Sequence, residues 1–318
     1  MEERTPQLRH GPRPNKDRRY RRGPRRIRRF LLGACAAVLA VALAATIYTC
    51  GEARSAAGRP AASSASATAS ASPPKPAAGL NAAAKAGAGT ASPALDTEMN
   101  AIIDANGEYQ IGVALIDLSG GAVHEYGVQQ AFVAASTAKV LAAAAYYHLV
   151  ETGAASLDEP MGDWTAGFQL KEMIQDSDND SWSLIMDAVG HEELSDYAAS
   201  IGVSYDPESN TLTPAEMARV LAGLYSGTLL DPDDTAELLS YMQDTNYETL
   251  IPAAVPAGIT VFHKYGLLGG ELHDAGILAK DGTAYALVIY TKGNDTGDIP
   301  QRTEVIHQLT EAVARALF

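Results

Sequence analysis

Ser136-Thr137-Ala138-Lys139-Val140-Leu141-Ala142-Ala143-Ala144-Ala145-Tyr146 opens an apolar helical run behind a serine and a lysine three residues apart. The pattern predicts a helix over 137–153. Three residues along a helix bring Lys139 back over Ser136. A serine at a helix start is by default an N-cap. The same placement also suits a nucleophile. A desolvated lysine can take the hydroxyl proton, and the free N–H groups of the helix start favour an oxyanion. Upstream, Tyr109–Asp117 reads as a mostly apolar strand, Ser119-Gly120-Gly121 as a turn and Ala122–Tyr126 as the returning strand. A short helix is expected before them, at 94–106. Downstream, helical stretches fall at 168–175, 181–189, 192–201, 213–226 and 233–243. Strands return at 259–265, 272–279 and 284–292, with Lys280-Asp281-Gly282-Thr283 turning between the last two. Residues 301–318 close as an amphipathic helix with Ile306, Leu309, Val313 and Leu317 on one stripe. This order predicts an α/β (α+β) fold. Its five-stranded antiparallel sheet is flanked by the terminal helices, and a helical lobe is inserted mid-chain.

Charge divides the 318-residue chain. Residues 1–29 hold 12 basic and three acidic side chains, +9 in sum. From Ala94 onward 8 basic residues face 34 acidic ones, −26 in sum. A globular nucleic-acid binder is excluded, because the folded part repels phosphates. Disorder throughout is excluded by a 47% hydrophobic content, which supplies a core. Both cysteines, Cys35 and Cys50, precede residue 51, so the folded part holds neither a disulfide nor a cysteine zinc site. The seven His lack zinc spacing, and Asp231-Pro232-Asp233-Asp234 reads as helix-start acids. No metal or cofactor is expected.

Phe30–Thr49 is a run of 20 uncharged residues, long enough to cross a bilayer as a helix. With the basic segment 1–29 before it, the C-terminal part is expected outside the cytoplasm. The run (30–50 with its last cysteine) reads as a retained anchor or as a cleaved signal peptide. A lipid-modified cysteine is a weaker fit, and Arg28-Arg29 also suits twin-arginine export. Residues 51–93 form a linker. Its stretch Glu52–Pro93 has 17 Ala among 42 residues and almost nothing large to bury. Residues 94–318 remain as the folded domain.

Two further motifs join the first. Ser177-Asp178-Asn179 lies between helical stretches, where polar residues ordinarily mark a turn. Lys264-Tyr265-Gly266 ends a predicted strand, where a lysine is ordinarily solvated. In order, Ser-x-x-Lys, Ser-Asp-Asn and a Lys-x-Gly close to Lys-Thr-Gly make up the signature of class A β-lactamases and penicillin-binding proteins. The chain resembles this family over roughly 95–318, and His273–Gly293 resembles its last two strands. The resemblance implies that Ser136 is the acylated nucleophile and Lys139 its general base. Ser177 would then protonate the leaving nitrogen, and Asn179 would bind the substrate amide. Lys264, with Tyr265 and Gly266, would face a substrate carboxylate. The backbone N–H groups of Ser136 and Leu267 would form the oxyanion hole. The implied partner is a β-lactam or a peptidoglycan-like substrate. A D-alanyl-D-alanine peptidase or esterase on the same fold, and a non-catalytic wall-binding module, are the alternatives.

The chain departs from the family pattern in three places. Tyr265 replaces a small hydroxyl residue. The stretch between Ser136 and Ser177 is short, with Trp164 as the candidate aromatic wall. The family's Glu-x-x-Leu-Asn loop is only echoed by Asp206-Pro207-Glu208-Ser209-Asn210. Asp206 and Glu208 are the candidates for activating a deacylating water; the alternative is a plain turn before a Thr213-Pro214 helix start.

Overall fold

The computed structural model describes residues 92–318. The expectations for the segment 30–49 and for most of the linker fall outside the described residues. Among the described residues, no helix is long and apolar enough to cross a membrane.

Helix α1, Pro93–Ala105, starts at the end of the expected linker, because the Ser92 hydroxyl caps it and Pro93 fits its first position. Strands β1 (Gln110–Asp117) and β2 (Val123–Gly127) form the expected hairpin. A short strand β3, Phe132–Val133, then leads into a 3₁₀ turn at Ala135–Ala138 and helix α2, Lys139–Glu151. The expected single helix over 137–153 therefore begins as a tighter turn that contains Ser136.

The helical lobe follows. A small hairpin, β4 (Pro160–Met161) and β5 (Trp164–Thr165), precedes α3 (Ala166–Gln175), α4 (Asn179–Val189) and α5 (His191–Ser200). Strand β6, Thr211–Leu212, pairs with β3. Helix α6, Pro214–Tyr225, is opened by a capping box between Thr213 and Glu216, as the Thr-Pro start foretells. Helices α7 (Pro232–Tyr241) and α8 (Ile251–Ala254) lead back to the sheet. Strands β7 (Thr260–Leu268), β8 (Glu271–Lys280) and β9 (Thr283–Lys292) and helix α9 (Ile299–Leu317) complete the chain.

The five-stranded sheet is antiparallel, in the order β2-β1-β9-β8-β7. Its central strands are buried on both faces, which is why β1 and β9 read as continuous apolar runs. Alternation along β1 divides them: Val113 and Leu115 pack with α1 and α9, Ala114 and Ile116 with the helical lobe. The same split separates Leu287 and Ile289 from Val288 and Tyr290 in β9. The described residues thus form three layers: terminal helices, sheet and helical lobe. Strand β7 is the sheet edge that meets the Ser136 turn.

Candidate active site

The Ser136 turn is braced from three sides. Ala135, a non-glycine residue, adopts a left-handed φ of 50° just before the serine. Such a conformation costs about 1–3 kcal/mol and persists only where its surroundings impose it. Asn210 imposes it here. Its Nδ2 donates to Ala135 O (3.0 Å), and its own O accepts from Ala134 N (2.7 Å). On the sheet side, Thr137 Oγ1 donates to Ala134 O (2.7 Å) and lies 2.6 Å from Tyr290 Oη. His273 braces β3 in the same way. Thr291 N–H donates to its Nδ1, so the ring proton sits on Nε2, 2.9 Å from Val133 O. Burial lowers the His273 pKa to about 4 and keeps the ring neutral. Among the described residues the Ser136 hydroxyl makes no hydrogen bond, which leaves it open to a ligand.

Lys139 begins α2 and is almost wholly buried. Its Nζ donates to Ser177 O (2.7 Å) and Asn179 Oδ1 (2.8 Å), and lies 3.4 Å from Ser177 Oγ. Burial lowers its pKa to about 8, against a smaller opposing pull from the Asp178 carboxylate. One lysine thus ties the first motif to the second across two helices. Ser177 also holds a left-handed φ, 57°. Asp178 caps α4 by accepting from Ser181 N at 2.6 Å, the structural role that its turn position suggests.

Lys264 is fully buried on β7. Its Nζ donates to Tyr265 O at 3.2 Å. Burial first, and then the charge of Lys139, push its pKa well below the ordinary lysine value. Gly266 is where β7 crosses the Ser136 turn. A Cβ there would stand 3.0 Å from Ala134 O and 3.2 Å from Ala135 Cβ. Any side chain there would force these neighbours to give by a few tenths of an ångström. The Leu267 amide follows from register. His263 N–H points off the sheet edge to Met242 O (2.7 Å), and β7 pairs with β8 without a bulge. Period two therefore puts the Leu267 N–H on the same free edge, beside the turn.

These parts enclose a cleft of about 140 Å³ lined by Ser136, Lys139, Asn179 and Leu267, with Ala135, Trp182, Asn210 and Leu268. Ser177, Lys264 and Gly266 do not line it; Ser177 is joined to it through the Lys139 ammonium, and Lys264 is fully buried on β7. Tyr265 is turned elsewhere. Its hydroxyl donates to Asn246 Oδ1 (2.9 Å) and its ring packs on Tyr247, so the phenol is engaged with a loop and does not line the cleft. Trp164 does not line it either; Trp182 supplies the aromatic wall. Asp206 and Glu208 also stand outside. Asp206 accepts from Glu208 N (2.9 Å) and Ser209 Oγ (2.7 Å) within its own exposed loop. Ser209's hydroxyl first, and then these amides, hold its carboxyl below the ordinary range. The residue of this loop that reaches the cleft is Asn210, signalled in the sequence only as the last letter of the five-residue echo. Among the described residues, Glu151, Asp231 and Asp234 are the one group of carboxylates close enough to share a cation. None of them lines the cleft, and Asp231 caps α7.

The family model for the β-lactamase enzyme family matches residues 94–317. The chain belongs to this family. A β-lactamase of Proteus vulgaris is 27% identical over 244 residues, covering 65% of this chain and 90% of the relative. Among solved structures, a variant of PBP-A in an acyl-enzyme complex with penicillin G is similar at a TM-score of 0.64. That likeness has 26% identity over 70% of this chain and 96% of the other. A variant of the class A β-lactamase of the last common ancestor of Gram-negative bacteria is similar at 0.65, with 25% identity over 70% and 98%. The five-stranded sheet and inserted helical lobe are those of the class A β-lactamase fold, and the domain is a β-lactamase-type serine hydrolase.

Proposed function

We propose that β-lactams acylate Ser136 readily and leave it slowly. The observation that carries this reading is the cleft itself, where Ser136 and Lys139, Asn179 and Leu267 converge from three chain segments. Ser136 Oγ attacks the lactam carbonyl and gives its proton to Lys139 as free amine. The N–H groups of Ser136 and Leu267 meet the oxyanion. The C–N bond then breaks, and Ser177 passes a proton to the leaving nitrogen. By the family resemblance Lys264 would favour a substrate carboxylate, acting from a fully buried position rather than from the cleft lining.

Release of the acyl group needs an activated water. The two carboxylates considered for that task stand outside the cleft, which supports slow deacylation. The acyl-enzyme complex of the PBP-A variant with penicillin G supports it by analogy. A chromogenic cephalosporin should give a burst equal to the enzyme, followed by slow turnover. Sustained turnover at the median enzyme rate of about 10 s⁻¹ contradicts this reading. The same acylation chemistry serves a D-alanyl-D-alanine peptide, and turnover of such a peptide above that of the cephalosporin would favour the peptidase alternative. We further propose that the segment 30–49 holds the domain outside the cytoplasmic membrane, on the strength of the uncharged run and its basic flank.

A further inference from the structure

All four large hydrophobic side chains exposed among the described residues border one of two hollows. Leu267 and Leu268 lie at the Ser136 cleft, and Trp164 and Phe168 at a second hollow of about 500 Å³. The first turns of α4 form a wall common to both. Asn179 and Trp182 face the cleft, while Asp178, Asp180 and Ser181 face the second hollow. Trp164, at the tip of the β4–β5 hairpin, is 60% exposed. It stacks on Phe168 of α3 with ring centroids 4.7 Å apart. An exposed aromatic stack of this kind loses hydrophobic free energy unless something covers it.

The charge around the stack says what can cover it. Asp163, Glu172, Asp178 and Asp180 line the hollow, with no lysine or arginine among its lining residues. Burial and the neighbouring Asp176 raise the Glu172 pKa, against a smaller opposing pull from Lys171 beside it. A neutral apolar ligand would leave these carboxylates desolvated and uncompensated. An ammonium group satisfies both features, through the ring faces and through the carboxylates.

We propose that this hollow is an ammonium-binding subsite that takes the cationic, amine-bearing extension of the substrate acylating Ser136. The substrate part of this statement rests on the function proposed above; the binding part does not. The sequence contains only two tryptophans, one in each hollow, which makes the two sites separable by fluorescence. In the full chain carrying Trp182→Phe, Trp164 is the sole tryptophan. Benzylammonium should quench it saturably, and benzyl alcohol should not. The affinity should fall about tenfold from low to high salt. It should fall similarly in a variant that adds Asp163→Asn and Glu172→Gln. Absence of saturable quenching by benzylammonium, or equal quenching by benzyl alcohol, overturns the subsite.

The second arm uses three penicillins that share a phenyl ring. At low salt the α-amino compound should acylate the parent about three- to fivefold faster than benzylpenicillin, and the α-carboxy compound should be slower still. Asp163→Asn with Glu172→Gln should level the series while leaving the benzylpenicillin rate within about twofold. Equal rates in the parent overturn the link between the hollow and the substrate. Failure of benzylpenicillin itself to acylate Ser136 contradicts the proposed function, and the fluorescence arm still decides the subsite.

Discussion

Lys139 holds three acceptors within 3.4 Å, an arrangement suited to an ammonium, while burial draws its pKa down to about 8. As general base it must be the free amine, and it is free above its pKa. Acylation of Ser136 should therefore rise as pH climbs through about 8, then level. A flat profile across that range would remove Lys139 from this role. Ser136 and Lys139 were legible as one local motif, but Lys139 Nζ bonds Ser177 and Asn179 rather than the Ser136 hydroxyl, a tertiary outcome that the spacing does not encode. Asn210 was not legible, because its importance lies in a left-handed φ of 51° and an approach to Ala135 across 75 residues of chain. Tyr265 was legible as a departure from its motif. The turn of its phenol toward Asn246 depends on a loop whose path no local pattern encodes.

Strand β7 carries Lys264 and Leu267, and its position on the sheet edge is fixed from behind. His263, buried, lies 2.9 Å from Asp274 Oδ1 and 3.1 Å from Glu248 Oε1, linking β7 to β8 and to the loop before α8. Burial alone would lower its pKa, but the two carboxylates outweigh it and raise the value to about 9. A folded-state pKa above the ordinary value near 6.5 means that the stabilisation is complete below about pH 6.5. It is lost as pH rises through about 9. Unfolding by denaturant should show stability falling by on the order of 2 kcal/mol across that window. His263→Gln should abolish the decline. An identical pH slope in the variant would show that the triad does not act this way. At this scale the sequence was most readable where one pattern ran unbroken, as in the apolar run of β9 and the helical stripe of α9. It was least readable at β3, β6 and the β4–β5 hairpin, whose two-residue strands present no period. The 3₁₀ start of the Ser136 helix was hidden for a related reason: the sequence reads as helix there, and the brace from Asn210 and Tyr290 is tertiary.

Over the whole molecule, element order alone carried the architecture, because two strand groups around a helical block close most simply into one antiparallel sheet. The division of the core into two clusters follows from alternation in strands buried on both faces. The −26 balance of the domain gives its few cations weight, and two of them, Lys139 and Lys264, meet at one site. Under the proposed anchoring, the basic N-terminal segment serves placement rather than chemistry. Fractionation of expressing cells should find the full chain in the membrane pellet, extractable by detergent; recovery from the medium would contradict a retained anchor. The most direct measurement of the central claim is the intact mass of the protein after exposure to benzylpenicillin. Ring opening adds the whole molecule. One penicillin mass should therefore appear on the parent, localise to the peptide containing Ser136, decay slowly and be absent from Ser136→Ala. No adduct and no turnover with Ser136 intact, or an undiminished adduct on the alanine variant, would contradict it.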